Sequence, residues 1–157
     1  MIIDNYELHD IHYLLVLIRA YPTYPKNAEL INAVIEVLET PQLGNTVEFN
    51  IIRKRLRAIE GLDREAFNWV YVDNVYTYGM HIIHDELCYT VLSNGLRMMY
   101  DYARSGNHQR LEALADALHN IPIYFAEGRG KLKKTAKIEF SRYNSLYKTN
   151  LLKVLLS

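Results

Sequence analysis

The chain has a single cysteine, Cys88, in 157 residues, so neither an internal disulfide nor a cysteine-based zinc finger can form. A lone thiol suits a reducing compartment, and a cytoplasmic location is expected. A dominant charge is also missing: Lys and Arg total 18, and so do Asp and Glu. That balance removes any global attraction to nucleic acid or to an anionic membrane, and neither is expected as a partner. No apolar run approaches the roughly 18 residues of a membrane-spanning helix. The opening MIIDNYELHD carries acids where a secretory leader would be basic. There is no internal repeat, no Gly-x-Ser-x-Gly elbow for acyl transfer, and no Gly-Lys-Ser/Thr ending that would make a phosphate loop of the glycines near residue 130. The four prolines all fall where a helical pattern ends.

What is present is ordinary for a folded protein: 50% hydrophobic and 23% charged residues, in a length that buries a sizeable core. One domain over residues 1–157 is expected. Asp4 or Asn5 can cap a first helix through about Ala20, and YPTYP breaks it. This helix is apolar on most of its circumference, with Leu8, Ile11, Leu14, Leu15 and Ile18 on one side and Tyr13 and Leu17 on the other; such a helix is central in a bundle or part of an oligomer contact. Asn27 caps a second helix whose stripe is Leu30, Ile31, Val34, Val37 and Leu38, ended by TPQLGN. Phe49, Ile52, Leu56 and Ile59 recur at helical spacing in a third, stopped by Gly61. Residues 69–79 read as helix behind an Asp63 cap, against a hairpin turned at Asp73-Asn74, because nothing else would pair with an isolated hairpin. Helices then follow from about Met80 to Arg104 and from Asn107 to Ile121, the latter stopped by Pro122. A last one places Phe140, Tyr143, Tyr147, Leu151 and Val154 on one face. The sum is an all-α antiparallel bundle of about six or seven helices.

Two helices raise a question of chemistry. In the Met80 helix the apolar stripe is Met80, Leu87, Val91, Met98 and Tyr102, and His84 falls within it. His81, His84 and Cys88 share a flank at a spacing that can offer two imidazoles and a thiolate to one ion, while Asp85 lies nearer solvent. The same residues also fit a satisfied core histidine beside an inert thiol. In the Asn107 helix, Leu111, Leu114, Ala117, Leu118 and Ile121 face the core, whereas Glu112, Asp116 and His119 stand opposite with Asn120 alongside. Solvated, that stripe is a helix-surface interaction contributing a few tenths of a kcal/mol. Covered by another helix, it buries a carboxylate and an imidazole at a cost that a ligand or ion must offset.

The segment LADALHN resembles the one in HD-domain guanosine tetraphosphate hydrolases in which an aspartate before Leu-His-Asn supplies a metal ligand. The likeness spans about seven residues, with Ala117 where that family has arginine. It implies Asp116 as a ligand and His84-Asp85 as the paired histidine and aspartate. It thus implies a divalent-metal phosphohydrolase in which His81 and His119 are further candidates and the basic loop EGRGKLKK holds substrate phosphate. The longer ALADALHNIP is similar to a segment of small helical bacterial proteins of unknown function.

Basic residues cluster at Arg53, Lys54 and Arg57 and again at Arg129, Lys131, Lys133 and Lys134, where phosphates or an RNA backbone could sit; because the chain as a whole is neutral, a solvated face is the expected reading. Thirteen tyrosines are many for this length. Tyrosine gives large contact area at low entropic cost, so they suit a protein interface as well as a core. The expected function is that of an accessory or regulatory protein working through contacts with a protein partner or with its own copies, made by the first and last helices; the metal-dependent hydrolase is the alternative.

Overall fold

The computed structural model describes residues 3–39, 82–83, 86–126 and 132–157, and the fold is an all-α helical bundle. Among these residues there are eight helices: α1 (Asn5–Ala20), α2 (Asn27–Glu39), α3 (Glu86–Ser105), α4 (His108–Leu118), α5 (Ile121–Ala126), α6 (Leu132–Glu139), α7 (Ser141–Tyr147) and α8 (Leu151–Leu156). The third helix expected near residues 46–61, the helix-or-hairpin segment 69–79 and the basic residues Arg53, Lys54, Arg57, Arg129 and Lys131 lie outside the described residues.

α1 and α4 form the centre. α1 packs on α4, α5 and α2, α3 packs on α2, α4 and α8, and α7 closes over α4. Ile11, Leu14, Leu15 and Ile18 of α1 are fully buried, and Tyr13 and Leu17 nearly so. These six side chains are therefore spent inside the chain, each large one contributing roughly 1.5–3 kcal/mol by leaving water. They leave no large apolar surface for the oligomer contact expected on this part of α1. Val91, Leu92, Leu96, Met99, Leu114, Leu118, Phe140, Leu151 and Leu155 join α1 in one hydrophobic cluster.

Local differences from the sequence expectation have identifiable causes. The helix expected from Met80 begins only at Glu86, because Ile82–Ile83 are extended and pair antiparallel with Ile3–Asp4, Ile3 opposite Ile83 and Asp4 opposite Ile82. These two-residue strands, β1 and β2, tie the start of α1 to the approach of α3. The buried face of α3 runs through Val91, Leu92, Gly95, Leu96 and Met99, and Leu87, expected in the stripe, is 54% exposed. Gly95 sets that rotation: a Cβ there would stand 2.5 Å from Leu118 Cδ1, so α3 and α4 touch where a side chain is absent.

Pro122 does not stop α4 but lies in the first turn of α5, where its missing N–H costs nothing. The single last helix is three pieces. It breaks at Phe140 and again at Lys148, which adopts the left-handed conformation with φ 48°. That second break advances the register, so Leu155 is buried while Val154, expected on the inner face, is exposed.

Candidate functional site

α4 starts cleanly because Asn107 Oδ1 accepts from the Arg110 backbone N–H, 3.3 Å away. Its buried residues are Leu111, Ala113, Leu114, Ala115, Ala117 and Leu118, more of the circumference than a single stripe. The alanines let neighbouring helices approach closely, which answers why an Ala-Leu helix also carries a polar edge. Glu112, Asp116 and His119 form that edge, half-buried where α1 and α7 arrive from either side.

The edge is covered by arginines. Arg142 of α7 donates from Nη2 to Glu112 Oε2 at 3.0 Å, from Nη1 to Glu112 Oε1 at 3.2 Å, and from Nη1 to Asp116 Oδ2 at 3.1 Å. Arg19 of α1 donates from Nη1 to Asp116 Oδ1 at 3.4 Å and to His119 Nε2 at 3.0 Å. His119 Nδ1 donates to the Asp116 carbonyl one turn back, which fixes the tautomer: Nδ1 carries the proton and Nε2 accepts from Arg19. Burial lowers the His119 pKa and the Arg19 charge adds to the effect, against the raising influence of the bond to the Asp116 carbonyl and of the Asp116 and Glu139 charges. Its neutral form is the one this setting favours. His12 of α1 donates from Nδ1 to the His119 carbonyl, with the two rings stacked at 6.1 Å. Beyond the helix end, Glu139 of α6 accepts from Asn120 Nδ2 at 3.1 Å and from the Tyr124 hydroxyl at 3.3 Å.

The arrangement decides what this edge can do. Two guanidiniums face two carboxylates and a neutral imidazole, so the charge is closed within the cluster. Arg19 and Arg142 divide the two oxygens of Asp116, and Arg19 takes the lone pair of His119 that a metal would need. As arranged, Asp116 and His119 do not fit a divalent ion, which would have to displace both arginines. No group of three potential metal-binding side chains occurs among the described residues. His81, His84 and Asp85 lie outside the described residues.

Sequence reasoning missed a second polar region. α3, α4, α7 and α8 surround an open cleft of about 360 Å³ whose walls include Tyr102, Arg110, Tyr143, Tyr147 and Lys148. The Arg110 guanidinium lies 4.3 Å from the Tyr147 ring centroid and 6.0 Å from that of Tyr102, and it donates to the Tyr102 hydroxyl at 3.4 Å. The Tyr102 and Tyr143 hydroxyls are 3.3 Å apart, and the Tyr143 and Tyr147 rings meet at 4.8 Å, tilted by 56°. Burial, the first cause, and the bond to Tyr102 raise the Tyr143 pKa, keeping the phenol neutral.

The end of α7 shapes one wall of this cleft. The Asn144 carbonyl accepts from the backbone N–H groups of Lys148 and Thr149, and Asn144 Oδ1 accepts from Leu151 N at 2.8 Å. α8 is held to α3 by Asn94 Nδ2 donating to the Leu155 carbonyl at 2.6 Å. The only local signal in the sequence was the Tyr143/Tyr147 pair at i, i+4; Tyr102 and Arg110 reach it from two other helices. Comparison of the chain with family models, with curated proteins and with solved structures finds no match in any of the three.

Proposed function

We propose that this is a small accessory or regulatory protein that acts by contact with another protein, through its C-terminal segment 132–157. The observation that carries the reading is where large apolar side chains meet solvent. Ile138 at 65%, Leu146 at 55%, Val154 at 45% and Leu156 at 38% all lie in this segment, against Leu87 in α3. The charge supports it. The same 26 residues hold six of the chain's 18 cations and one of its 18 acids. Arg142 is occupied on α4, whereas Lys133, Lys134, Lys137, Lys148 and Lys153 are exposed, with no carboxylate pairing them among the described residues. Apolar anchors among unpaired lysines suit an acidic protein surface, for which charge steers the encounter and apolar burial holds the complex.

The test is affinity purification from the native cells with wild type and with Ile138→Asp/Leu146→Asp, both exposed positions, followed by reconstitution with the purified candidate. A protein held by wild type, released by salt, lost with the double variant and bound again when pure supports the reading. Self-association lost in the same variant would make the partner a second copy instead of an acidic protein. Retention of RNA, or of no component that the double variant loses, contradicts the proposal.

A further inference from the structure

The cleft between α3, α4, α7 and α8 has two properties that protein contact does not require. The first is uncompensated positive charge. Arg110 and Lys148 both line it, and no carboxylate pairs with either among the described residues. The groups nearest to Arg110 are tyrosines, whose ring faces attract the guanidinium without neutralising it. A guanidinium has five N–H donors, and those of Arg110 meet one acceptor among the described residues, the Tyr102 hydroxyl. The guanidinium carbon lies 4.3 Å from the Tyr147 ring centroid, and the N–H donors beyond the one bonded to Tyr102 suit a planar or tetrahedral oxyanion.

The second property is a hydrogen-bonded pair of phenols. The Tyr102 hydroxyl accepts from Arg110 and lies 3.3 Å from the Tyr143 hydroxyl, and either of the two can donate to the other. Two phenol protons serve one bond between them, so one is left without an acceptor among the described residues, and its surroundings keep Tyr143 neutral. Thr149 and Lys148 line the same wall, and Met98 and Val154 supply an apolar side. A volume of about 360 Å³ falls in the range of small-molecule sites and is too large for a bare anion.

We propose that this cleft is a binding site for a small phosphate monoester with an apolar or aromatic body, its phosphate held by Arg110, Lys148 and the Tyr102–Tyr143 hydroxyl pair and its body lying against Met98 and Val154. Lys148 owes its place to the turn pinned by Asn144, so the left-handed residue at the end of α7 is what sets the second cation at the cleft. This inference does not rest on the partner contact: Ile138 and Leu146, the positions changed to test that contact, are not cleft residues.

The experiment is isothermal titration of the intact protein with phenyl phosphate, inorganic phosphate and phenol. Phenyl phosphate is expected to bind one site saturably, inorganic phosphate at least tenfold more weakly, and phenol without detectable heat. Arg110→Gln is expected to weaken phenyl phosphate at least tenfold with an unchanged circular dichroism spectrum. Lys148→Gln, in an exposed turn, covers the case in which the Arg110 variant fails to fold, and is expected to weaken binding three- to tenfold. Ile138→Asp/Leu146→Asp is expected to bind as wild type does. No saturable binding at millimolar phenyl phosphate, inorganic phosphate binding as tightly as the ester, or undiminished binding in the folded cleft variants would each overturn the proposal.

Discussion

The polar edge of α4 and the tyrosine cleft are both built around arginine, and they end in opposite states. On the edge, Arg19 and Arg142 meet Glu112 and Asp116, every charge has its opposite within hydrogen-bond reach, and the imidazole at its end is neutral. In the cleft, Arg110 and Lys148 meet tyrosines and a threonine, which donate, accept and stack without cancelling charge. A cluster of ionisable residues is thus a poor guide to function until its counter-charges are located. The one that looked like chemistry in the sequence is a clamp joining α1, α4 and α7, and the one that looked like ordinary aromatics is open.

The largest effect should come from the residue shared by cleft and core. Tyr143 is nearly fully buried, and Tyr143→Ala should cost about 3 kcal/mol in urea unfolding by removing a packed ring. Tyr143→Phe, which keeps the ring, should cost far less while removing the hydroxyl that bonds Tyr102. Loss of stability by both variants alike would mean that the hydroxyl, not the ring, holds this region.

The clamp comes next. Arg142→Ala should cost about 1 kcal/mol, the modest figure expected for a half-exposed but bidentate network, and the cost should shrink at high salt. A double-mutant cycle with Glu112→Ala separates their coupling from loss of the arginine stem's packing. Coupling indistinguishable from zero at low salt would remove the clamp from the account.

His119 sets a pH dependence with a defined sign. Its pKa in the folded chain lies below the ordinary imidazole value of about 6.5, so the unfolded chain takes up the proton more readily. Its contribution to stability is complete above about pH 6.5 and is lost as the pH falls through the depressed folded value. Stability against pH should therefore decline below that point, and His119→Gln should flatten the decline. Stability rising on acidification through this range, specifically in wild type, would mean that the imidazole is charged in the fold.

The smallest effect concerns the cleft wall. Lys148 has φ 48°, a conformation costing a non-glycine residue about 1–2 kcal/mol, partly offset in a glycine variant by greater freedom when unfolded. Lys148→Gly should raise stability by about 0.5 kcal/mol in the same unfolding assay while weakening binding in the cleft. A loss of stability would mean that the lysine side chain contributes contacts outweighing the strain.

How much of this was legible in the sequence follows from the range of the interactions. α1, α2 and α4 could be read because their caps and periodicities are local, and Glu112, Asp116 and His119 could be placed on one edge by rotation alone. What covers that edge could not be read: Arg19 lies 97 residues from Asp116 and Arg142 lies 26. The start of α3 was misplaced for the same reason. Ile82–Ile83 continue an apolar pattern, and only pairing with Ile3–Asp4 at the start of the described chain makes them extended. The breaks in the last helix carry no proline or glycine. Lys148 turns left because Asn144 binds the next residues, a feature that periodicity does not encode.

The contrast between the two polar regions can be tested in one measurement, the map of backbone amide shifts when phenyl phosphate is added to the ¹⁵N-labelled protein. The account predicts saturable shifts at Tyr102, Arg110 and residues 143–151, with Glu112, Asp116 and His119 unmoved. Shifts centred on Glu112 to His119 with the cleft silent would contradict it, making the α4 edge the open site and the tyrosine cleft the closed one.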